Sequence, residues 1–227
     1  MAMAHPRVTV ILTSYNRTVL LERAIQSVLQ QNWGDFELII IDDGSPQETR
    51  AIIENYAARD SRIIYIQTDK KDEDRRKTTD YATNINTALR IARGEYITYL
   101  TCDDEYTVDH VYRLVYALDT HSEWDIVFDD QIAVYYDDTT DSELPAFERI
   151  LPQVVVRASC QVDHNQPMMR KECVFHVGLW DDHVMHYGAA DAVFWNRLND
   201  AGYVFYRVPG IGTKHRFHKH SIQGIEQ

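Results

Sequence analysis

The sequence predicts an α/β fold built on a mostly parallel central sheet with helices on both faces. Through the first ~130 residues, short β-rich apolar runs alternate with segments of helical periodicity, the pattern of parallel strands joined by crossover helices. Polar residues follow the predicted strands, as expected where a parallel sheet binds ligands at its carboxyl edge. The chain has 227 residues, 44% of them apolar, and its sequence shows neither internal repeats nor low-complexity linkers. We therefore predict one domain spanning residues 1–227.

The predicted elements follow from local periodicity. Strand-like runs lie at residues 8–13, 36–41, 63–66, 96–100 and 126–135. Apolar residues recur with helical spacing at residues 20–29, 81–92 and 111–118. A further helix is predicted to begin with Ser45 as N-cap, Pro46 as its first residue and Glu48 closing a capping box. Beyond Tyr136 the periodicity weakens, and the acidic residues 137–143 are expected to form a solvated loop between two strands.

Charge and composition argue against several classes of protein. The chain carries 23 basic and 35 acidic residues, and this net charge of -12 argues against nucleic acid or an anionic membrane as its partner. No apolar run approaches the ~20 residues of a transmembrane helix, and the N-terminus lacks a signal-peptide core. The three cysteines lack CxxC spacing, so we expect no disulfide framework and a cytoplasmic location. The phosphate-loop and dinucleotide glycine motifs are also missing from the sequence.

Paired carboxylates follow two of the predicted strands. Asp42 and Asp43 end the second strand, where a carboxylate could accept hydrogen bonds from a base or a ribose hydroxyl. Asp103 and Asp104 end the fourth strand, and carboxylates are the hard oxygen ligands that Mg²⁺ and Mn²⁺ prefer. Each pair alone could be an ordinary turn or helix-capping cluster. Two pairs at one edge of the sheet make that explanation harder to keep for both.

Two charged segments admit a functional and a structural interpretation. Residues 69–77 form a run of mixed charge that is normally solvated surface, yet their position would bring Arg75 near a bound diphosphate. Histidines at positions 215, 218 and 220 could hold a metal ion, or could belong to a terminus without that role. The residues alone favour the structural interpretation of both segments.

Three stretches of the chain resemble glycosyltransferase family 2, the inverting nucleotide-sugar enzymes with the GT-A fold. They are residues 8–17, 36–45 and 86–100. Shorter strings at 94–99, 118–121, 160–164 and 191–195 most resemble enzymes of bacillar spore-coat polysaccharide synthesis. The resemblance is good over residues 7–130 and patchier to about residue 208. It implies a single GT-A domain with a nucleotide-binding half at residues 7–105, and an acceptor-side half with the C-terminal tail at residues 106–227.

The resemblance also implies roles for individual residues. The nucleotide-binding set that it implies is Thr13, Tyr15, Asp42, Asp43, Arg75 and Asp103. Asp103 matches the metal-binding aspartate, with Asp104 as an extra carboxylate and His215 as the best histidine candidate, for Mn²⁺ or Mg²⁺. Asp191 matches the acid that deprotonates the acceptor hydroxyl. Without the resemblance, an acid favoured at a helix N-terminus would explain Asp191 better.

The function implied is transfer of a sugar from a UDP- or dTDP-linked donor to a glycan or other hydroxyl acceptor, with inversion. A role in surface or spore polysaccharide synthesis is expected, in the cytoplasm or in association with the spore. Thr101 and Cys102 stand where relatives carry acids, which leaves open a nucleotide-binding scaffold that has lost turnover. A nucleotidyltransferase would normally carry a glycine-rich phosphate loop, and residues 13–17 contain no glycine. No nucleic-acid partner and no transmembrane segment are expected.

Overall fold

The computed structural model describes residues 5–68, 78–144, 147–186 and 189–218. Within these residues the helices are α1 (Thr18–Leu29), α2 (Gln47–Ala57), α3 (Asp80–Leu89), α4 (His110–Thr120), α5 (Lys171–Val177) and α6 (Ala190–Asp200). The long strands are β1 (Val8–Ser14), β2 (Phe36–Asp42), β3 (Ile63–Gln67), β4 (Tyr96–Thr101), β6 (Ile126–Asp137) and β11 (Phe205–His218). The short strands are β5 (Glu105–Tyr106), β7 (Ser142–Glu143), β8 (Phe147–Arg149), β9 (Val154–Val155) and β10 (Pro167–Arg170).

The strands form one twisted mixed sheet in the order β3-β2-β1-β4-β10-β6-β11-β5. The first four strands of this order are parallel, as the alternating sequence pattern predicts. β10 then enters antiparallel between β4 and β6, and β11 pairs parallel with β6. The second half of the chain is therefore mixed, which agrees with the α/β fold expected from the sequence. None of the described helices is long and apolar enough to cross a membrane.

Both faces of the sheet are covered, which explains the continuous apolar runs in β1 and β2. Every residue of these two strands is buried. Ile11 and Ile39 pack on the face covered by α3 and α6, whereas Val10 and Leu38 pack on the face covered by α1 and α4. Each such side chain contributes roughly 1.5–3 kcal/mol when fully buried. This packing fixes the carboxyl ends of the parallel strands as one rigid edge.

The start of α2 differs from the predicted one. The helix begins at Gln47 with Pro46 as its N-cap, and no side-chain hydrogen bond caps it. The Oγ of Ser45 instead accepts the backbone N–H of Asn16 at 3.0 Å, so the predicted capping box is wrong. The Ser45 hydroxyl joins the loops that follow β1 and β2. Because it makes this contact, it does not cap α2.

Three other expectations, about a loop, the cysteines and a helix end, can be compared with the structure. The acidic loop predicted at residues 137–143 lies between β6 and β7, which pair antiparallel, and its last two residues belong to β7. Cys102 and Cys173 are buried free thiols. Helix α3 was predicted to end at residue 92 but ends at Leu89, and the turn that follows Leu89 leads towards β4.

Candidate functional site

The carboxyl ends of the long parallel strands meet at one edge of the sheet. Ser14 at the end of β1 pairs in register with Asp42 at the end of β2. Thr13 of β1 pairs with Thr101 at the end of β4. The last residues of β11 arrive at the same edge because β11 runs parallel to β6, and β11 also pairs with β5 just beyond Asp104. The edge thus combines residues from both ends of the chain.

Asp104 is an enclosed acid at this edge, with 1% of its side chain exposed. Its Oδ2 accepts hydrogen bonds from Thr101 Oγ1 at 2.9 Å and Asn165 Nδ2 at 2.5 Å. Its Oδ1 accepts the backbone N–H of Arg216 at 2.8 Å. Burial raises the pKa of Asp104, and the neighbouring His215 opposes that rise. Both carboxylate oxygens are therefore fixed by donors, so Asp104 is held in one orientation.

His215 lies against Asp104 and the nearby Asp163. Its Nδ1 is 2.9 Å from Asp104 Oδ2 and 3.9 Å from Asp163 Oδ2. Burial alone would lower the pKa of His215, but the hydrogen bond and charge of Asp104 raise it to about 9. One ligand atom from each of these three residues lies within 4.8 Å of the others. Two carboxylates and an imidazole at this spacing fit Mn²⁺ or Mg²⁺, which take oxygen ligands and leave positions for phosphate oxygens.

Asp103 points to a different neighbour. Its Oδ2 is 3.1 Å from His218 Nε2, and 26% of its side chain is exposed. Burial would raise the pKa of Asp103, but the hydrogen bond and charge of His218 lower it overall. Asp103 is therefore a stable carboxylate beside the cluster of Asp104, Asp163 and His215. The structure brings the three predicted metal ligands to one edge, but it gives Asp103 and Asp104 different histidine partners.

The predicted nucleoside-binding residues follow β1 and β2. Asp42 is fully buried, and burial raises its pKa. Its Oδ1 has no hydrogen-bond partner among the described residues, whereas Oδ2 accepts the Ser45 N–H at 3.3 Å. Asp43 Oδ1 accepts a hydrogen bond from Thr68 Oγ1 at 3.1 Å. Thr13 is buried and Tyr15 is 41% exposed at the mouth of this region. The predicted Arg75 lies outside the described residues.

Asp191 occupies the first turn of α6. Its Oδ1 accepts the N–H of Ala192 at 2.8 Å, and its own N–H lies 3.3 Å from the hydroxyl of Tyr81. Burial raises the pKa of Asp191, and the charge of His164 opposes the rise. The His164 ring packs against Tyr99 at 5.4 Å between ring centroids, and it also interacts electrostatically with Asp163. A helix-terminal acid and a base with a raised pKa are both compatible with this geometry.

Cys102 lies beside the acidic edge without joining it. Its side chain is buried, and burial together with the charge of Asp103 raises the pKa of the thiol to about 12. The backbone N–H of Cys102 donates to the carbonyl of Thr13 at 3.1 Å, which joins β4 to β1. A protonated thiol is a poor ligand for Mg²⁺ or Mn²⁺. Cys102 therefore contributes packing rather than charge to this edge.

Asp163 and Asn165 were not predicted to lie at this edge, and His218 was named only among three histidines that could hold a metal ion. Asp163 joins Asp104 and His215 in the cluster that could hold a metal ion, and the Asn165 side chain links Asp163 to Asp104. His218 contacts Asp103, and its Nδ1 is 2.8 Å from Oδ1 of Asp138 in the acidic hairpin. The available signal was the dense polar run from residue 163 to residue 166, immediately before β10. Nothing in the spacing of this run indicates that Asn165 contacts Asp104, about sixty positions earlier in the chain.

Comparison with known proteins gives consistent matches. A model of the family described as Glycosyl transferase family 2 matches residues 9–173. Protein CgeD of Bacillus subtilis is 39% identical over 199 residues, which is 86% of this chain and 46% of that protein. A second relative is a Campylobacter jejuni protein named GalNAc(5)-diNAcBac-PP-undecaprenol β-1,3-glucosyltransferase. It is 37% identical over 44% of this chain and 30% of that protein's length. The chain thus spans less than half the length of these curated relatives.

Solved structures with this fold include two proteins in complex with nucleotide sugars. Staphylococcus aureus TarS, residues 1–349, in complex with UDP-GlcNAc has a TM-score of 0.73 at 15% identity, over 93% of this chain and 58% of that one. The mannosyltransferase PcManGT from Pyrobaculum calidifontis, in complex with GDP-Man and Mn²⁺, has a TM-score of 0.67 at 18% identity. The match covers 93% of this chain and 57% of the mannosyltransferase chain. At such identities the likeness concerns the fold alone.

Proposed function

The chain belongs to glycosyl transferase family 2, and from that premise we propose that it moves a sugar from a UDP- or dTDP-linked donor to an acceptor hydroxyl with inversion. The observation that carries the proposal is the cluster of Asp104, Asp163 and His215 at the carboxyl edge, with Asp191 in its electrostatic neighbourhood. An inverting displacement needs charge stabilisation on the leaving diphosphate and a base on the opposite face of the sugar.

The nucleotide would bind where β1 and β2 end. The unpartnered Oδ1 of the buried Asp42 favours a ligand that donates a hydrogen bond, since buried polar atoms are rarely left unpaired. Asp43 would contact the pyrimidine base, with Thr13 and Tyr15 lining the pocket and Arg75 approaching the nucleotide. This assignment places donor binding in residues 7–105 and acceptor binding mainly in residues 106–227.

A divalent cation, Mn²⁺ or Mg²⁺, would supply positive charge for the departing diphosphate when bound. Asp103, Asp104 and His215 would hold it, with Asp163 as a further carboxylate. Asp104 is already oriented by three donors, so little reorganisation is needed before it binds a cation. His215 must lose the proton that Asp104 now favours, because only the neutral imidazole is a ligand.

Asp191 would accept the proton of the acceptor hydroxyl. Its carboxylate is a stronger base than an exposed aspartate, since burial raises its pKa. The hydrogen bond from the Ala192 N–H holds Oδ1, which leaves Oδ2 for the incoming hydroxyl. We further propose a cytoplasmic role in surface or spore polysaccharide synthesis, supported by the resemblance of short strings in the sequence.

One observation favours a second candidate, a nucleotide-binding scaffold without turnover. By the resemblance, Thr101 and Cys102 stand where acids are expected, and the Cys102 thiol is protonated and buried. The two candidates differ in whether sugar is transferred, because both would bind the nucleotide. A product assay with several acceptors therefore separates them, and binding data alone do not.

The test is a panel of nucleotides and nucleotide sugars, scored by thermal shift with and without Mn²⁺. A ligand at about 100 times its dissociation constant should stabilise the fold by about 2.7 kcal/mol. We expect UDP or dTDP compounds to stabilise the protein, and Mn²⁺ to increase the effect. Calorimetry on Asp103→Ala should show nucleotide binding that no longer depends on Mn²⁺. Unchanged Mn²⁺ dependence in that variant would show that the assignment of Asp103 is wrong.

A further inference from the structure

His218 lies between two carboxylates at the end of β11. Its Nδ1 is 2.8 Å from Asp138 Oδ1, and its Nε2 is 3.1 Å from Asp103 Oδ2. Only 7% of the His218 side chain is exposed. Its ring also meets the edge of Tyr136, with 5.4 Å between ring centroids. The imidazole therefore has one orientation, with one nitrogen towards the hairpin and the other towards the proposed metal site.

Asp138 comes from the acidic hairpin that joins β6 to β7, and this hairpin is attached to the rest of the molecule by ion pairs. Asp138 Oδ1 also accepts a hydrogen bond from Arg17 at 2.9 Å, in the loop after β1. Asp141 pairs with Arg23 of α1 at 3.1 Å. Glu143 pairs with Lys214 of β11 at 3.1 Å. The hairpin tip is thus held over the carboxyl edge from two sides.

We propose that Asp138 is a positioning residue of the donor site, which holds His218 so that Nε2 faces Asp103 and a divalent cation bound beside it. The proposal rests on the proposed function. A histidine beside a metal normally donates its second ring N–H to a carboxylate, which fixes the tautomer and the ring orientation. Asp138 provides that acceptor at Nδ1, on a hairpin that was predicted only as a solvated acidic loop.

A competing explanation uses the same contacts differently. Asp138 is an anion between Arg17 and His218, so it could occupy the place of a phosphate and be displaced by the donor. The two explanations predict opposite effects when the carboxylate is removed. Loss of a positioning group weakens metal binding, whereas loss of a competing anion strengthens nucleotide binding without metal. The burial of His218 and its contact with Asp103 favour the positioning role, because they align its Nε2 with the acid.

The experiment compares wild type with Asp138→Ala, Asp138→Asn and the control Asp141→Asn. Asp141 lies on the same hairpin, pairs with Arg23 rather than His218, and has a positive φ that asparagine also tolerates. Mn²⁺ binding is measured by electron paramagnetic resonance in the presence and absence of UDP, and UDP binding without metal is measured by calorimetry. Thermal unfolding confirms that all four proteins are folded.

Asp138→Ala is expected to weaken Mn²⁺ binding by about 10–100-fold, with metal-free UDP affinity unchanged. Asp138→Asn retains an acceptor oxygen for Nδ1–H and should recover most of the lost affinity, and Asp141→Asn should match wild type. Equal Mn²⁺ affinity in Asp138→Ala and wild type would overturn the inference alone. Tighter metal-free UDP binding in Asp138→Ala would also overturn it, in favour of the competing anion. A wild type that binds neither UDP nor Mn²⁺ would overturn the proposed function and the inference together.

Discussion

Replacing Asp191 by asparagine separates its two interpretations. The side chain keeps its size, and its Oδ1 can still accept the Ala192 N–H at the first turn of α6. What it loses is the ability to accept a proton. If Asp191 is the general base, sugar transfer should therefore fall while the fold and nucleotide binding remain.

The expected magnitudes differ enough to decide between the interpretations. Loss of a general base slows the reaction by about 10²–10⁴-fold, which corresponds to about 3–5 kcal/mol in the activation barrier. Asp191 lies in the first turn of α6 and Ala189 is the N-cap, so the structural interpretation loses only a charge at the helix N-terminus, worth about 0.3–1 kcal/mol of stability. A purely structural Asp191 thus predicts a small change in unfolding free energy and almost none in rate.

The assay is release of the nucleoside diphosphate during transfer to the true acceptor, followed across pH. Burial raises the pKa of Asp191 above its ordinary value of 3.8, so its basic form is lost as the pH falls through that raised pKa. Wild-type activity should decline on this acidic side, and the variant should lack the decline. Asp200→Asn, at the opposite end of α6, is the matched control. Transfer by Asp191→Asn within a few-fold of wild type would refute the assignment and direct attention to Asp163, Asp181 and Asp182.

Two further predictions concern residues around the site. Cys102→Ser should retain transfer within a few-fold, because the buried thiol stays protonated, and loss of nucleotide binding in the folded variant would contradict this. Gly212→Ala should lower the free energy of unfolding by about 3 kcal/mol or more in urea denaturation. A Cβ there would lie 1.6 Å from Asp129 Oδ2, which is 2.8 Å from both His110 Nδ1 and Arg113, so this buried charge would lose its partners. Stability equal to wild type would show that β11 can move to accommodate the methyl group.

The first half of the fold was predictable because its signals are local. The apolar runs of β1, β2 and β4 are continuous, since both faces of each strand are buried. The pairs Asp42–Asp43 and Asp103–Asp104 could be assigned to one edge because parallel strands end together. The family and the GT-A fold expected from these strings are confirmed. The role of each site residue stays a prediction.

The second half was harder because its contacts are distant in sequence and its strands are irregular. β11 pairs with β6 through two register shifts around Gly210 and Gly212, and it reaches β5 more than one hundred residues earlier. Periodicity does not indicate such a pairing, since a bulge breaks the alternation of inward and outward side chains. The contact of His218 with Asp103 was not predicted for this reason. Asp163 was not predicted as a neighbour of Asp104 because it lies in the loop before β10, which carries no periodic signal.

The enclosure of Asp104 shows why the two halves form one site. A buried carboxylate without hydrogen-bond donors is strongly unfavourable. Among the described residues, Thr101 is the one side chain from the first half of the chain that donates a hydrogen bond to Asp104. The remaining partners are Asn165 Nδ2 in the loop before β10, and the Arg216 N–H and His215 Nδ1 on β11. Forming the proposed metal site therefore requires that these late segments have already joined the sheet. The parallel strands provide the edge, but the arrangement of side chains at that edge depends on the second half of the chain.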